Sequence, residues 1–184
     1  MPEKIILGID PGTNIMGYGL IVADVNRTEL IALGVIHLDK IDGHALKLKT
    51  IFEKTTALID QYHPDELAIE APFFGKNIQS MLKLGRAQGV AMAAALNRSI
   101  PIFEYSPKKI KQSITGNGNA SKEQVAAMLQ TILKFKETSD YLDATDGLAA
   151  ALCHHFQRGK TDDGINKFSG WKSFLAANPK RIKL

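Results

Sequence analysis

The sequence contains a single cysteine, Cys153, among its 184 residues, so it can form no internal disulfide. This composition fits a reducing compartment, and Cys153 itself is expected to be a small apolar side chain on a helix. No segment approaches the run of about 18 apolar residues needed to span a bilayer. The first residues, MPEK, lead straight into an apolar run and lack the pattern of a secretion signal. We therefore expect a cytoplasmic protein without a membrane partner.

The chain also lacks a large excess of one charge sign, since its net charge is only +4. Six of its 23 basic residues but only two of its 19 acidic residues lie beyond Arg158, which leaves 17 of each sign before that point. We expect a single domain over residues 1–158, followed by a basic, flexible tail over residues 159–184. Such a tail is compatible with a polyanionic partner and equally with a role in solubility.

Hydrophobic periodicity predicts five strands and five helices. The strands are predicted over 5–10, 17–24, 29–38, 65–73 and 100–106. The helices are predicted over 45–62, 77–97 and 107–114, from Ser121 onward, and over 139–156. The order β-β-β-α-β-α-β-α-α-α indicates an α/β fold in which a five-stranded mixed sheet is flanked by helices. Functional side chains in such sheets collect beyond the strand ends.

Two of the predicted strands run into an acid. Asp10 follows the apolar run ILGI and precedes Pro11-Gly12, and Glu70 follows LAI. A carboxylate in this position is costly to bury unless it is paired, hydrogen-bonded or bound to a cation. If the first and fourth strands are neighbours, the two acids emerge side by side.

Two further acids, Asp143 and Asp146, open the last predicted helix in the stretch DATDGLAA. Their spacing of three places them on one helical face. A solvated face near a helix N-terminus, where the helix dipole favours acids, explains the same pattern. If all four acids converge, oxygen ligands without a cysteine or histidine cluster suit Mg²⁺ or Mn²⁺ rather than zinc.

Five blocks of the sequence, in one collinear order over residues 5–156, resemble the RuvC family of Holliday junction resolvases. They are ILGIDPGTNIMGYGLI, LAIEAPFFGKN, LKLGRAQGVAMAAALN, IFEYSPKKIKQSITGNGNASKEQV and DATDGLAAALCH. The resemblance implies a ribonuclease-H-like fold and a homodimeric, Mg²⁺-dependent endodeoxyribonuclease of recombination and repair. Such an enzyme makes paired symmetric nicks in four-way junction DNA. The resemblance also implies a branch-migration partner of the RuvA/RuvB type.

The same resemblance implies roles for individual residues. Asp10, Glu70, Asp143 and Asp146 match the acids that hold two Mg²⁺ ions, with Mn²⁺ able to replace them. Some relatives carry histidine at the last position, where this chain has Asp146. In the two-metal pattern one ion activates water and the other stabilises the leaving 3′ oxygen.

Lys111 and Lys122 match lysines that the family places near the DNA phosphates and the reaction centre, where they reduce charge repulsion. A solvated helix face is the alternative for any lone lysine. Phe73 resembles the family's junction-contacting aromatic, although Pro72 and Phe74 leave open which phenylalanine points outward. A core aromatic is the alternative there. Further predicted DNA contacts are Lys76, Asn77, Lys108 and Lys109.

The predicted helix 77–97 carries small residues, Gly85, Gly89 and Ala93, at four-residue spacing. They permit close packing either on the sheet or on a second subunit, and the family's dimerisation favours the latter. The five histidines are given no catalytic role, although His154 lies on the Asp143–Asp146 side of its helix. Three competing hypotheses remain: an actin-like or sugar-kinase-type ATPase, a ribonuclease-H-like nuclease acting on RNA, and a catalytically silent junction-binding module.

Overall fold

One five-stranded sheet in the order β3-β2-β1-β4-β5 organises the chain. The structure, a computed structural model, describes residues 2–72, 77–135 and 141–158. The strands are β1 (Lys4–Asp10), β2 (Ile15–Ala23), β3 (Thr28–His37), β4 (Glu66–Glu70) and β5 (Ile102–Tyr105). The helices are α1 (His44–Tyr62), α2 (Ile78–Leu96), α3 (Pro107–Thr115), α4 (Lys122–Leu133) and α5 (Tyr141–Arg158).

The pairing of the strands confirms the predicted mixed sheet. Strands β1, β2 and β3 form an antiparallel meander, whereas β4 pairs in parallel with β1 on one side and with β5 on the other. None of the helices within the described ranges is long and apolar enough to cross a membrane.

Several strand boundaries differ from the prediction by one to three residues, and two of them have local reasons. Strand β4 ends at Glu70 instead of continuing to residue 73. The amide of Ala71 still donates to the Tyr105 carbonyl at 2.9 Å, but Pro72 has no N–H to extend the ladder. Strand β2 begins at Ile15 rather than Gly17, because Ile15 already pairs with His37 of β3.

Side chains alternate between the two faces of the sheet and form two separate cores. Leu7 and Ile9 of β1 belong to the core shared with α1 and α2. Ile6 of β1 and Ala68 of β4 belong to the opposite core, which is shared with α3, α4 and α5. Residues of even number in β1 and β4 therefore point toward α5.

Helix α5 lies almost directly on the backbone of β1 and β2. A Cβ added to Gly8 would stand 2.1 Å from the carbonyl oxygen of Gly147, and one added to Gly17 would stand 2.0 Å from that of Asp143. A Cβ on Gly147 would in turn stand 2.6 Å from the Cα of Tyr18. Glycine is therefore required at these positions, because any side chain would push the helix off the sheet.

The two helices that carry the predicted lysines have well-defined starts. Ser106 caps α3, which continues with Pro107 in its first turn. Ser121 caps α4 and forms the predicted capping box with Gln124, so the helix itself begins at Lys122. These caps place both helices at fixed orientations beside α5.

Replacing Gly8 with alanine should destabilise the fold by about 2–3 kcal/mol or more, because the new methyl group overlaps the backbone of α5. Thermal or urea unfolding measures the loss. Leu46→Ala, at a position that is 56% exposed on α1, should change stability by less than about 0.5 kcal/mol. An unfolding midpoint for Gly8→Ala equal to that of Leu46→Ala would contradict the close contact.

Candidate active site

Asp10 and Glu70 stand side by side at the carboxyl ends of neighbouring parallel strands. The preceding residues, Ile9 and Ile69, are partners in the register between β1 and β4. Both acids have even numbers and therefore point to the face of the sheet that α5 covers. The adjacency that the sequence left conditional is present in the structure, and it follows from the pairing of β4 with β1.

Asp143 and Asp146 extend the acidic cluster from the first turns of α5. The close backbone contact at Gly17 brings this end of the helix down onto the sheet beside Asp10. Both acids act electrostatically on Asp10, and Asp146 also acts on Glu70. All four predicted acids thus share one neighbourhood that is built from three separate elements.

Lys122 lies within this cluster as the first residue of α4. Its Nζ is 2.7 Å from Oδ1 of Asp143 and 2.7 Å from Oδ2 of Asp146. Lys111 of α3 joins Lys122, Glu70 and Asp146 in lining a cleft of about 210 Å³. The two lysines expected near the reaction centre therefore face the acids rather than bulk solvent.

Burial and mutual repulsion raise the pKa values of Asp10, Glu70 and Asp146. Burial, reinforced by Glu70 and Asp146, raises the pKa of Asp10 well above its usual range. Burial, followed by the charge of Asp146, raises the pKa of Glu70 to about 7, against the opposing effects of Lys111 and Lys122. Burial also raises the pKa of Asp146, despite its hydrogen bond to Lys122. The cluster is therefore short of positive charge.

The pKa of Lys122 is also raised, which favours the charged form of a lysine, whereas a raised pKa disfavours the charged form of an acid. Burial alone lowers the pKa of its ammonium group, but hydrogen bonds to Asp143 and Asp146 outweigh that effect and raise it. This lysine stays charged at neutral pH and offsets part of the repulsion between the acids.

The chemistry of the four acids fits a hard divalent cation. Carboxylate oxygens are the ligands that Mg²⁺ prefers, and repulsion among close carboxylates is relieved by a bound cation. Within the described ranges, no three His, Cys, Asp or Glu side chains already converge closely enough to hold an ion. The Nζ of Lys122 lies between two of the acids, so a shared ion requires their side chains to turn toward it.

The remaining predicted contacts are distributed around the cleft. Lys108 and Lys109 are exposed in the first turn of α3, next to the cleft residue Pro107. Asn77 is exposed, and its side-chain oxygen caps α2 by accepting from the Ser80 amide at 3.1 Å. Phe73, Phe74, Lys76 and the tail 159–184 lie outside the described residues.

Two residues near the acids were missed by the sequence analysis. Lys47 of α1 donates to the Thr13 carbonyl at 3.0 Å and to Oδ1 of Asn14 at 3.2 Å, and so holds the loop that follows Asp10. Gln88 of α2 is buried and donates to Oε2 of Glu104 at 2.9 Å. A buried amide on an otherwise apolar helix face was the available signal for Gln88. No local signal identified Lys47.

Replacing Glu70 with glutamine should stabilise the metal-free protein at neutral and alkaline pH. An acid whose pKa rises from 4.5 to about 7 on folding binds its proton more tightly in the native state, so wild-type stability falls as pH rises across that interval. With a chelator present, we expect a Tm about 2–4 °C above wild type at pH 8, and a gap that closes near pH 4.5. Glu53→Gln, on the exposed face of α1, should show no such gap. An equal, pH-independent shift in both variants would contradict the raised pKa.

Comparison with known proteins places this arrangement in a family. The family described as crossover junction endodeoxyribonuclease RuvC matches residues 6–154. Proteins of that description from Cytophaga hutchinsonii and Bacteroides fragilis are 61% and 62% identical to this chain. Each alignment covers 98% of this chain, together with 89% and 97% of the respective relative.

Solved structures agree with the sequence relatives. The RuvC of T. thermophilus in complex with Holliday junction substrate superposes with a TM-score of 0.76 at 29% identity, covering 84% of this chain and 94% of that one. The yeast mitochondrial Holliday junction resolvase Ydc2 shares the fold, with a TM-score of 0.59 at 15% identity over 84% of this chain and 80% of its own. Sequence, fold and length therefore lead to one conclusion: the chain belongs to the RuvC family of crossover junction endodeoxyribonucleases.

Proposed function

We propose that this protein is a metal-dependent endodeoxyribonuclease that resolves Holliday junctions by paired symmetric nicks during recombination and repair. The observation that carries the proposal is the meeting of Asp10 and Glu70, on adjacent parallel strands, with Asp143 and Asp146 of α5. The relatives are named for this activity, and the T. thermophilus relative has been captured on a Holliday junction.

The four acids are proposed to hold Mg²⁺, two ions per site, with Mn²⁺ able to replace it. Divalent ions held by these four acids would supply a means to activate water and to neutralise charge on the scissile phosphate. The protein contributes rigid elements, because two of the acids end paired strands and the other two lie on a helix seated on the sheet. The raised pKa of Glu70, about 7, falls when positive charge arrives, which leaves the carboxylate ionised to bind it.

Lys122 and Lys111 are proposed to lower the repulsion between an incoming phosphodiester and the acidic cluster. Lys122 is held at the cluster by its contacts with Asp143 and Asp146, and Lys111 lines the same cleft. A lysine in this position offers its remaining N–H groups to phosphate oxygens.

The DNA surface is proposed to surround this cleft. Lys108 and Lys109 are exposed beside it and carry charge that suits a phosphate backbone. Asn77 keeps its amide N–H₂ as a donor while its oxygen caps α2. Phe73 and Lys76 complete the proposed contacts on the strength of the family resemblance alone.

A homodimer is proposed to form through the outer face of α2. Ile78, Leu82 and Leu96 are large apolar side chains on this helix that are 70%, 51% and 62% exposed. Gly85 and Gly89 lie on the same face. A Cβ added to either glycine would have no atom of another part of the chain within 4 Å, so this face of the helix is open. These residues follow a four-and-three spacing, the pattern by which two helices pack along a common seam. A two-fold dimer also matches a two-fold junction.

The wider context is proposed from the family. It comprises a cytoplasmic location, a branch-migration partner of the RuvA/RuvB type, and the division of the chain into a nuclease domain over 1–158 and a basic tail over 159–184. The tail's excess of lysine and arginine supports weak contacts to DNA phosphates.

Asp10→Asn should abolish cleavage of a synthetic four-way junction while leaving junction binding intact. Removing one metal-binding charge from the site should slow cleavage by at least about 10³-fold, equivalent to about 4 kcal/mol of lost transition-state stabilisation. Gel analysis of end-labelled strands, with and without Mg²⁺, records both the position and the symmetry of the nicks. Asp42→Asn, which removes an exposed acid before α1, is the matched control and should cleave normally.

Each competing function predicts a different result for the wild type, tested on the junction, on an RNA-containing duplex and with nucleotide. Tight junction binding without cleavage by the wild type would identify a silent binding module. Preference for an RNA-containing duplex over the junction would identify an RNA nuclease. Nucleotide hydrolysis without cleavage would identify an ATPase.

Leu82→Glu should convert the dimer to a monomer, because a charge would be buried at the centre of the α2 seam. Sedimentation or light scattering over a concentration series measures the change. Leu46→Glu places the same charge at a comparably exposed leucine on α1 and should leave the dimer intact. A dimer that survives Leu82→Glu would place the interface elsewhere.

A further inference from the structure

His154 of α5 is buried on the helix face that also carries Asp143. Residues 143, 147, 151 and 154 share this face, since they are separated by four, four and three positions. Its middle rests on β1, where a Cβ added to Gly8 would stand 2.1 Å from the carbonyl oxygen of Gly147 and 2.5 Å from the amide nitrogen of Ala151. One face of α5 therefore connects the acidic cluster at one end to His154 at the other.

The imidazole of His154, only 2% exposed as a residue, is held by three strand residues. Nε2 lies 2.9 Å from Oε2 of Glu66, the first residue of β4. Nδ1 lies 2.7 Å from the hydroxyl of Tyr105, the last residue of β5. The ring stacks on Phe103 with a centroid separation of 4.2 Å and an interplanar angle of 28°.

These contacts select one protonation state. Burial lowers the pKa of His154 in spite of the neighbouring Glu66, so the ring is neutral at physiological pH. Nε2–H then donates to Glu66, and Nδ1 accepts from the Tyr105 hydroxyl. The Glu66 carboxylate is further compensated by Lys4 and by Arg158, whose Nε is 3.2 Å away.

The hydrogen bonds of His154 fix the rotation of α5 about its own axis, which the glycine contacts do not. Close backbone contact at Gly8 and Gly17 determines how near the helix lies to the sheet, and the buried Leu148 and Leu152 add apolar packing that has no preferred direction. The two hydrogen bonds of His154 are directional, and they attach the helix to the two parallel strands β4 and β5. Because α5 is a rigid helix, fixing its rotation at His154 also fixes the directions in which Asp143 and Asp146 point at its N-terminal end.

We propose that His154 is a positioning residue for Asp143 and Asp146, acting through the rotation and axial position of α5. The inference rests on the proposed metal-binding function of those acids. Small displacements of groups that bind a metal or a reacting phosphate weaken binding and catalysis strongly. His154 thereby links the start of β4 and the end of β5 to the geometry of the acidic cluster.

The test is a titration of His154→Leu with Mn²⁺ in the absence of DNA, in which electron paramagnetic resonance measures the bound and free ion. We expect about a tenfold weaker Mn²⁺ affinity, and about the same rise in the Mg²⁺ concentration that half-saturates cleavage. Junction affinity measured without divalent metal should not change. His154→Gln, whose amide N–H can replace the Nε2–H donor to Glu66, should recover most of the loss.

Tyr105→Phe provides a milder variant that keeps the aromatic ring and removes only the hydroxyl that donates to His154. It should weaken Mn²⁺ binding in the same direction by about threefold. Ile59→Ala is the stability control, because it opens a cavity in the core on the opposite face of the sheet. It should lower Tm without changing Mn²⁺ affinity when all variants are measured well below their unfolding temperatures.

Two results would overturn the inference. Unchanged Mn²⁺ affinity in both His154→Leu and Tyr105→Phe would make His154 an ordinary core histidine. An equal loss of affinity in Ile59→Ala would show that general destabilisation is the cause. Failure of the wild type to bind Mn²⁺ or to cleave junctions would instead refute the proposed function itself.

Discussion

The contact between the backbone of α5 and the backbone of β1 and β2 is the constraint on which the acidic site depends. Gly8, Gly17 and Gly147 allow this contact because none of them carries a side chain that would separate helix from sheet. Side chains at these positions would hold the helix farther from the sheet, and Asp143 and Asp146 farther from the strand ends. Close approach therefore converts two acids on a helix and two on strands into one electrostatic cluster.

This proximity has an energetic cost that the structure only partly offsets. The four acids of the cluster are all partly buried, and burial raises the pKa of Asp10, Glu70 and Asp146. Lys122 compensates through two contacts of 2.7 Å, yet the pKa of Glu70 still lies near 7. A site in this condition attracts further positive charge, which is the property that a metal-dependent nuclease requires.

The two faces of the sheet carry different groups of residues. The face covered by α3, α4 and α5 carries the acids, the lysines and the buried contacts of His154. The opposite face is covered by α1 and α2, and α2 presents an apolar outer surface that suits a second subunit. Gln88 joins the two regions, since it extends from α2 to Glu104 of β5 and lies near the carbonyl of Glu70 at 3.4 Å. The acidic cluster and the apolar outer surface of α2 therefore lie on opposite sides of one sheet.

The sequence by itself determined the elements, because periodicity, caps and chain breakers are local. The strand that ends at Asp10 and the cap at Ser121 follow from short stretches of residues, and the order of the elements along the chain indicated a mixed sheet. Tertiary structure alone decided that β4 pairs with β1, which places Glu70 beside Asp10, and that Asp143 and Asp146 face the cluster rather than solvent. The contacts of Lys47 and His154 could not be predicted from local sequence either, because their partners lie between 33 and 88 residues away along the chain. Local patterns encode which segments form, whereas convergence depends on pairings between distant segments that no local pattern records.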